Sequence, residues 1–148
     1  VYDSRVDPFT DQGLFDKVRG KANIARVGFT ADGDVFGGFY SRAVTNQNEY
    51  FPDPKIFIFS FESRGRCETP QRFPLKKEAR DVKSVEFVKD NRSGFVDFGR
   101  YLSNFYLGNE KSNTYCWKLS ESFEGVEDTT LTEKVHFTCI RIVAVHLE

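Results

Sequence analysis

The residues best placed to do chemistry lie in one turn, Arg64-Gly65-Arg66-Cys67, followed by Pro70. The thiolate is the nucleophilic form of cysteine, and flanking cations raise its fraction. The turn therefore offers a redox-responsive or peroxide-reactive thiol at Cys67, with Arg64 and Arg66 as its activators. The plainer reading is a surface cysteine beside two solvated arginines. Cys116 stands next to Trp117 and Cys139 among Ile and Val residues, so both are expected as small core residues. Three cysteines, an odd number with no CxxC pair, fit a reduced cytosolic chain better than a disulfide framework.

A second constellation is basic. Lys76, Lys77, Arg80 and Lys83 cluster in sequence, with Arg64, Arg66 and Arg72 not far away. Phosphate contacts need such clustering, and regulatory nucleic-acid binding is one reading of it. Glu78 and Asp81 dilute the patch, and no element suited to enter a groove accompanies it, so a solvated face is the simpler reading. A net charge of −1 with 29 % charged residues argues against a dedicated polyanion binder.

The remaining chemistries find less support. His136 and His146 are the only histidines. On one extended strand they stand roughly 33 Å apart, too far to share a metal or act as a pair. No G-x-S-x-G elbow is present for a nucleophilic serine. Asp3, Asp7, Asp11 and Gly13 loosely resemble a calcium loop, but the spacing is wrong, the closing Glu is missing and Pro8 interrupts it. Asp32 and Asp34 are explained by a turn. No catalytic residues, metal ligands or cofactor are expected. Asn91-Arg92-Ser93 fits a glycosylation sequon that carries no meaning in a cytosolic chain.

The elements that would position these groups are extended. Ile24 to Ser41 holds two apolar runs flanking Asp32-Gly33, the strongest short-range hairpin signal, since both residues tolerate the positive φ of a two-residue type I′ turn. That turn predicts Phe29 opposite Phe36, Val27 opposite Gly38 and Ala25 opposite Tyr40, all on one inward face. Gly37 and Gly38 leave room for another element to approach the backbone. Thr10 as N-cap, Leu14 and Val18 on one face and Gly20 as the stop predict a short helix over about 11–19.

Further along, residues 45–54 form a polar loop, and Ile56 to Phe61, apolar on both faces, is an inner strand with a neighbour on each side. Pro74 confines residues 71–75 to an edge. Residues 76–81 form a solvated or single helical turn. Strands are expected at 84–88, 95–98, 105–107 and 115–119, with an acidic loop at 120–134. The last apolar run, 136–148, breaks its alternation, as a bulge would. Many short strands and one real helix predict a mostly β (α+β) fold: a two-sheet antiparallel β-sandwich with one short N-terminal helix and few helical turns. At 148 residues, 1–148 is expected as a single domain, its sixteen phenylalanines supplying most of the core between the two layers. The chain opens at Val1 and has no Met, so an initiator residue and a longer N-terminus are expected to be missing. No run approaches the roughly 18 apolar residues of a membrane span, and no signal-peptide pattern is present.

Leu14-Phe15-Asp16-Lys17-Val18 with Ile24 to Ser41, above all Asp32-Gly33 and Val35-Phe36-Gly37-Gly38-Phe39, resembles the core signature of the TLDc domain family. The likeness continues through Ile56–Phe61, Phe95-Val96-Asp97-Phe98-Gly99, Phe105-Tyr106-Leu107-Gly108, residues 120–131 and the closing Phe137 to Leu147 run. Two features depart from the family pattern: Tyr101-Leu102-Ser103 replaces a glycine-rich triplet, and Val143 replaces a Glu in the last strand. The Arg64–Cys67 loop is similar to compact protozoan members, and the helical lead-in usual in the family is absent or shortened. The resemblance implies a two-sheet sandwich with no agreed catalytic constellation. It also implies a non-enzymatic, cytoplasmic (or also nuclear) protein-interaction domain in oxidative-stress response, with the vacuolar H+-ATPase as the partner offered for binding and regulation. A thiol-dependent antioxidant through Cys67 and a nucleic-acid binder through Lys76–Lys83 stand as the alternatives.

Overall fold

The computed structural model describes residues 1–80, 84–89, 96–100, 103–109, 111–112 and 114–148. Helix α1 spans Asp11–Val18. The Thr10 side chain accepts a hydrogen bond from the Gly13 N–H at its start, and Leu14, Phe15 and Val18 form its buried stripe. Gly20, at φ +72°, turns the chain away after it. The capping chemistry expected from the sequence is present at both ends.

Strands β2 (Ile24–Thr30) and β3 (Val35–Tyr40) form the predicted hairpin, but over a different turn. The Gly33 N–H bonds the Thr30 carbonyl, the Thr30 N–H bonds the Asp34 carbonyl, and Gly33 sits at φ +99°. This is a three-residue loop, a type I turn followed by a left-handed glycine, rather than the two-residue I′ turn. The Thr30 hydroxyl accepts from the Asp34 N–H at 3.0 Å and fastens the longer loop. The register is therefore Gly28 opposite Phe36, Arg26 opposite Gly38 and Ile24 opposite Tyr40. A one-residue slip exchanges every side chain of a strand between faces. Phe36, Gly38 and Tyr40 point inward as expected, but Ile24, Arg26 and Gly28 replace Ala25, Val27 and Phe29 on the inner face of β2.

The hairpin is the middle of a six-stranded sheet completed by β1 (Tyr2–Asp3), β5 (Phe57–Glu62), β6 (Gln71–Pro74) and β11 (Cys139–His146) in the order β1-β11-β2-β3-β5-β6. β5 has a neighbour on each side and the proline-ended β6 lies at the edge. β11 carries its irregularity between Cys139 and Arg141. The second sheet has the order β10-β9-β8-β7-β4, with β4 at Phe51–Pro52, β7 at Ser84–Phe87, β8 at Val96–Arg100, β9 at Ser103–Leu107 and β10 at Cys116–Trp117. β4 falls within the stretch expected as loop, and two residues carry no periodicity to reveal it. Single 3-10 turns cover Lys77–Ala79 and Leu119–Glu121. Every pairing between strands is antiparallel.

The two sheets pack through their inner faces. A Cβ on Gly38 would lie 2.6 Å from the ring of Phe98, so that ring of β8 rests on bare backbone of β3. Phe87 of β7 meets Phe15 of α1 at 5.2 Å and Tyr40 of β3 at 5.9 Å between ring centroids. Ile24, Phe36, Ile58, Phe87, Phe98 and Leu107 are completely buried between the layers. The sandwich expected from the strand pattern is the fold observed. Not all its phenylalanines lie within it: Phe39, Phe57, Phe59 and Phe61 stand on the outer face of the six-stranded sheet, because odd-numbered positions of β3 and β5 point away from the second sheet.

Candidate interaction surface

In the Cys67 turn, Arg64 (φ 53°) and Gly65 (φ 93°) reverse the chain, and the Ser63 hydroxyl accepts from the Cys67 N–H at 2.6 Å. Cys67 is half-buried and packs against the core. The two arginines turn to a carboxylate. Arg66 Nη2 lies 2.5 Å from Asp34 Oδ1, and Arg64 Nε lies 3.2 Å from the same oxygen. Arg64 Nη2 also reaches Glu133 Oε2 at 3.2 Å, while Arg66 donates to the carbonyls of Thr130 and Leu131. Asp34 is 1 % exposed. The pair of cations thus fastens the β2–β3 turn, the β5–β6 turn and residues 130–133 together, and its charge is met by Asp34 and Glu133.

Cys116 and Cys139 are buried, and burial pushes both thiols up to about 12. All three cysteines are free. Asp3 pairs with Arg141 and Asp7 with Lys17, so two of the three aspartates of the calcium-like run serve ion pairs. Among the described residues no three His, Cys, Asp or Glu side chains converge as metal ligands would. The His136 ring meets Tyr115 edge-on at 5.9 Å, and His146 is exposed at the end of β11. The basic run divides. Lys77 and Arg80 are exposed and Lys76 half-buried, whereas Lys83 lies outside the described residues, as does the 91–93 sequon. Arg80 shares a depression with Arg72 and Lys55, while Arg64 and Arg66 are drawn to Asp34.

Two groupings went unseen in the sequence. On the outer face of the second sheet, Asp97 is fully buried and its Oδ2 accepts from the Tyr50 hydroxyl at 3.2 Å. The Tyr106 and Tyr115 rings pack beside it, 5.0 Å apart. Burial, and then the Asp97 charge, raise the phenols of Tyr50, Tyr106 and Tyr115 above the ordinary tyrosine value, which keeps them protonated as donors. These residues are scattered from 50 to 115, and the side-by-side order of β10, β9, β8, β7 and β4 unites them.

The other grouping is the outer face of the six-stranded sheet. Phe39 stacks on Phe57 at 4.9 Å, Phe57 lies 6.2 Å from Phe59, and Phe59 lies 4.7 Å from Phe61. Across the sheet Val143, Val27, Gly37, Phe59 and Arg72 form one row. Gly37 contributes no side chain, and the Phe59 ring lies across it as a floor. Phe61, Val145 and Leu147 are 53 %, 42 % and 43 % exposed. Together they line a groove of about 450 Å³ between β11 and β6. Sheets normally carry polar residues on a solvent face, and large apolar patches mark contact sites. The signal was present in Ile56–Phe61, where an apolar run on both faces meant a covered inner face and an aromatic outer one ending in the exposed Phe61.

A family model for the TLDc domain matches residues 1–142, almost the whole length of the chain. No curated protein matches it. The match runs through α1, the Asp32-Gly33 hairpin, both sheets and the first half of β11, and takes in all but the last residues of the span that carried the resemblance in sequence. The chain belongs to the TLDc domain family.

Proposed function

We propose that residues 1–148 act as one non-enzymatic protein-interaction domain in oxidative-stress response, working in the cytoplasm through a subunit of the vacuolar proton-pumping ATPase. The observation that carries the interaction reading is the apolar groove on the outer face, where Phe61, Val145 and Leu147 stand exposed above a floor of Phe57 and Phe59. An apolar surface of this kind gains free energy when a partner removes it from water. Family membership supports the stress-response context and the choice of partner. The test is affinity capture of native lysate on the immobilised chain. Recovery of proton-pump subunits supports the reading, and their absence removes that partner.

The thiol reading places a peroxide-reactive Cys67 in the same context, but Arg64 and Arg66 spend their charge on Asp34 and Glu133. Peroxide consumption equal in the wild type and in Cys67→Ser ends it. For nucleic acid, Lys77 and Arg80 offer exposed cations without an element to enter a groove. A gel shift lost on replacing Lys76 and Lys77 would revive that reading.

A further inference from the structure

We infer that the outer groove of the six-stranded sheet takes a segment of a partner protein that carries bulky apolar anchors flanked by Asp or Glu. This deepens the protein-interaction reading and rests on it. The groove has two joined parts that share Phe57 and Arg72. The larger is apolar, floored by Val27 and Phe59 and banked by Phe61 on one side and Val145 and Leu147 on the other. The smaller, about 350 Å³, surrounds Phe39 and Phe57 with the cations Lys55, Arg72 and Arg80. Neither part has an acidic lining residue.

The three cations differ from the other arginines near the sheet edges. Arg64, Arg66 and Arg141 each have a carboxylate at salt-bridge distance. Lys55, Arg72 and Arg80 form no ion pair among the described residues and are all exposed. The Arg72 guanidinium lies over the Phe57 ring, 4.8 Å from its centroid, and its donors form no hydrogen bond among the described residues, so they are open to an incoming acid. On a chain of net charge −1, this concentration of unpaired positive charge beside apolar surface is local and one-sided. Its complement is a side chain that enters the apolar groove between Phe61 and the Val145–Leu147 bank and a carboxylate that reaches Arg72. A bilayer suits the face poorly, because it needs apolar side chains that protrude from the surface, whereas here they bank a trough.

Fluorescence anisotropy decides the matter. The probe is a labelled peptide in which Phe and Leu alternate with Glu, and the control replaces each Glu by Lys. Binding of the acidic peptide is expected in the micromolar range, at least about tenfold tighter than the control and weakening as salt rises. Arg72→Glu and Phe61→Asp, both at exposed positions, are each expected to weaken it at least about tenfold while the far-ultraviolet circular dichroism stays native. Equal binding of acidic and basic peptides, or no saturation by about 1 mM, overturns the inference. So does capture of the chain by phosphatidylserine vesicles without peptide binding, or a dimer that Phe61→Asp dissolves. Proton-pump capture that persists in Arg72→Glu refutes this face and leaves the interaction reading standing. Peptide binding without proton-pump capture leaves the face standing and removes that partner.

Discussion

Arg66 Nη2 lies 2.5 Å from Asp34 Oδ1, and that contact redirects the charge that the sequence places beside Cys67. Asp34 sits just past the hairpin turn, and with its side chain 2 % exposed it depends on the two guanidiniums for compensation. Replacing one member of a buried pair leaves an uncompensated charge. Asp34→Ala is therefore expected to cost about 3 kcal/mol in urea unfolding, the low end for buried pairs because the arginines remain partly exposed. Arg64→Lys, which keeps a charge but loses the fork, is expected to cost less. A loss below about 0.5 kcal/mol for Asp34→Ala would show that the three loops are held by something else.

The three thiols should separate cleanly. Burial holds Cys116 and Cys139 at about 12, so neither supplies thiolate near neutral pH, while Cys67 is half-buried at a turn. Attack on a disulfide reagent needs thiolate and access. At about pH 8 the native chain should titrate with a single reactive thiol, all three should react in denaturant, and Cys67→Ser should leave none in the native state. Two fast native thiols would contradict the burial of β10 or β11.

Arg26 is a cation placed inside the sandwich by the register slip. It is fully buried, with its guanidinium carbon 4.0 Å from the Phe87 ring centroid and Nη2 donating to the Tyr40 hydroxyl at 3.1 Å. Among the described residues Nε and Nη1 have no hydrogen-bond partner, and burial lowers its pKa against the opposing pull of Tyr40. A hydrophobe of similar length avoids the desolvation cost. Arg26→Met should leave stability unchanged or raise it by about 1–3 kcal/mol, measured by urea midpoint. Arg26→Ala should lower it, because the volume over Phe87 is emptied. Loss of more than about 2 kcal/mol in the methionine variant would mean that the charge itself is needed.

The sequence reveals its extended segments, the caps of α1 and the proline-ended edge at β6 because each rests on local chemistry: alternation, a threonine oxygen, a missing N–H. It conceals the face of β2. Asp32-Gly33 serves a two-residue and a three-residue loop equally well, and the choice depends on Thr30 and on where Asp34 finds arginines thirty and thirty-two residues away. That single residue of register sends Arg26 inward and Val27 outward. The candidate groove was hidden for the same reason, since its banks come from β5, β6 and β11, which sequence alone does not bring together. Cys67 and its arginines are adjacent in sequence, yet the guanidiniums point to a partner that only the tertiary fold supplies.

Gly38 tests the packing between layers. Its Cβ position lies 2.6 Å from two atoms of the Phe98 ring and 2.8 Å from a third, and ring atoms of a buried side chain do not yield cheaply. Gly38→Ala should destabilise by about 1–3 kcal/mol through overpacking. Phe98→Leu costs a cavity of its own, and the double variant should recover part of the sum, because the two changes share one space. Simple additivity would place Phe98 away from β3 in solution.

Acid behaviour at the opposite edge follows from Asp3 and Arg141, which join β1 to β11 through two hydrogen bonds at 3.0 and 2.5 Å. The Arg141 guanidinium, helped by the Arg5 N–H, holds the Asp3 carboxyl at about 2, below the ordinary carboxylate range. A depressed folded-state pKa means the unfolded chain takes up the proton first as pH falls. The contribution of Asp3 is complete above about pH 4 and is lost progressively down to about pH 2. Asp7, also depressed, chiefly by the Asp3 N–H and then by Lys17, steepens the same limb. The difference between wild type and Asp3→Asn therefore isolates the pair: their urea midpoints should converge between about pH 4 and pH 2 and stay parallel from pH 5 upward. Curves that remain parallel throughout would show that the β1–β11 edge gains nothing from this charge.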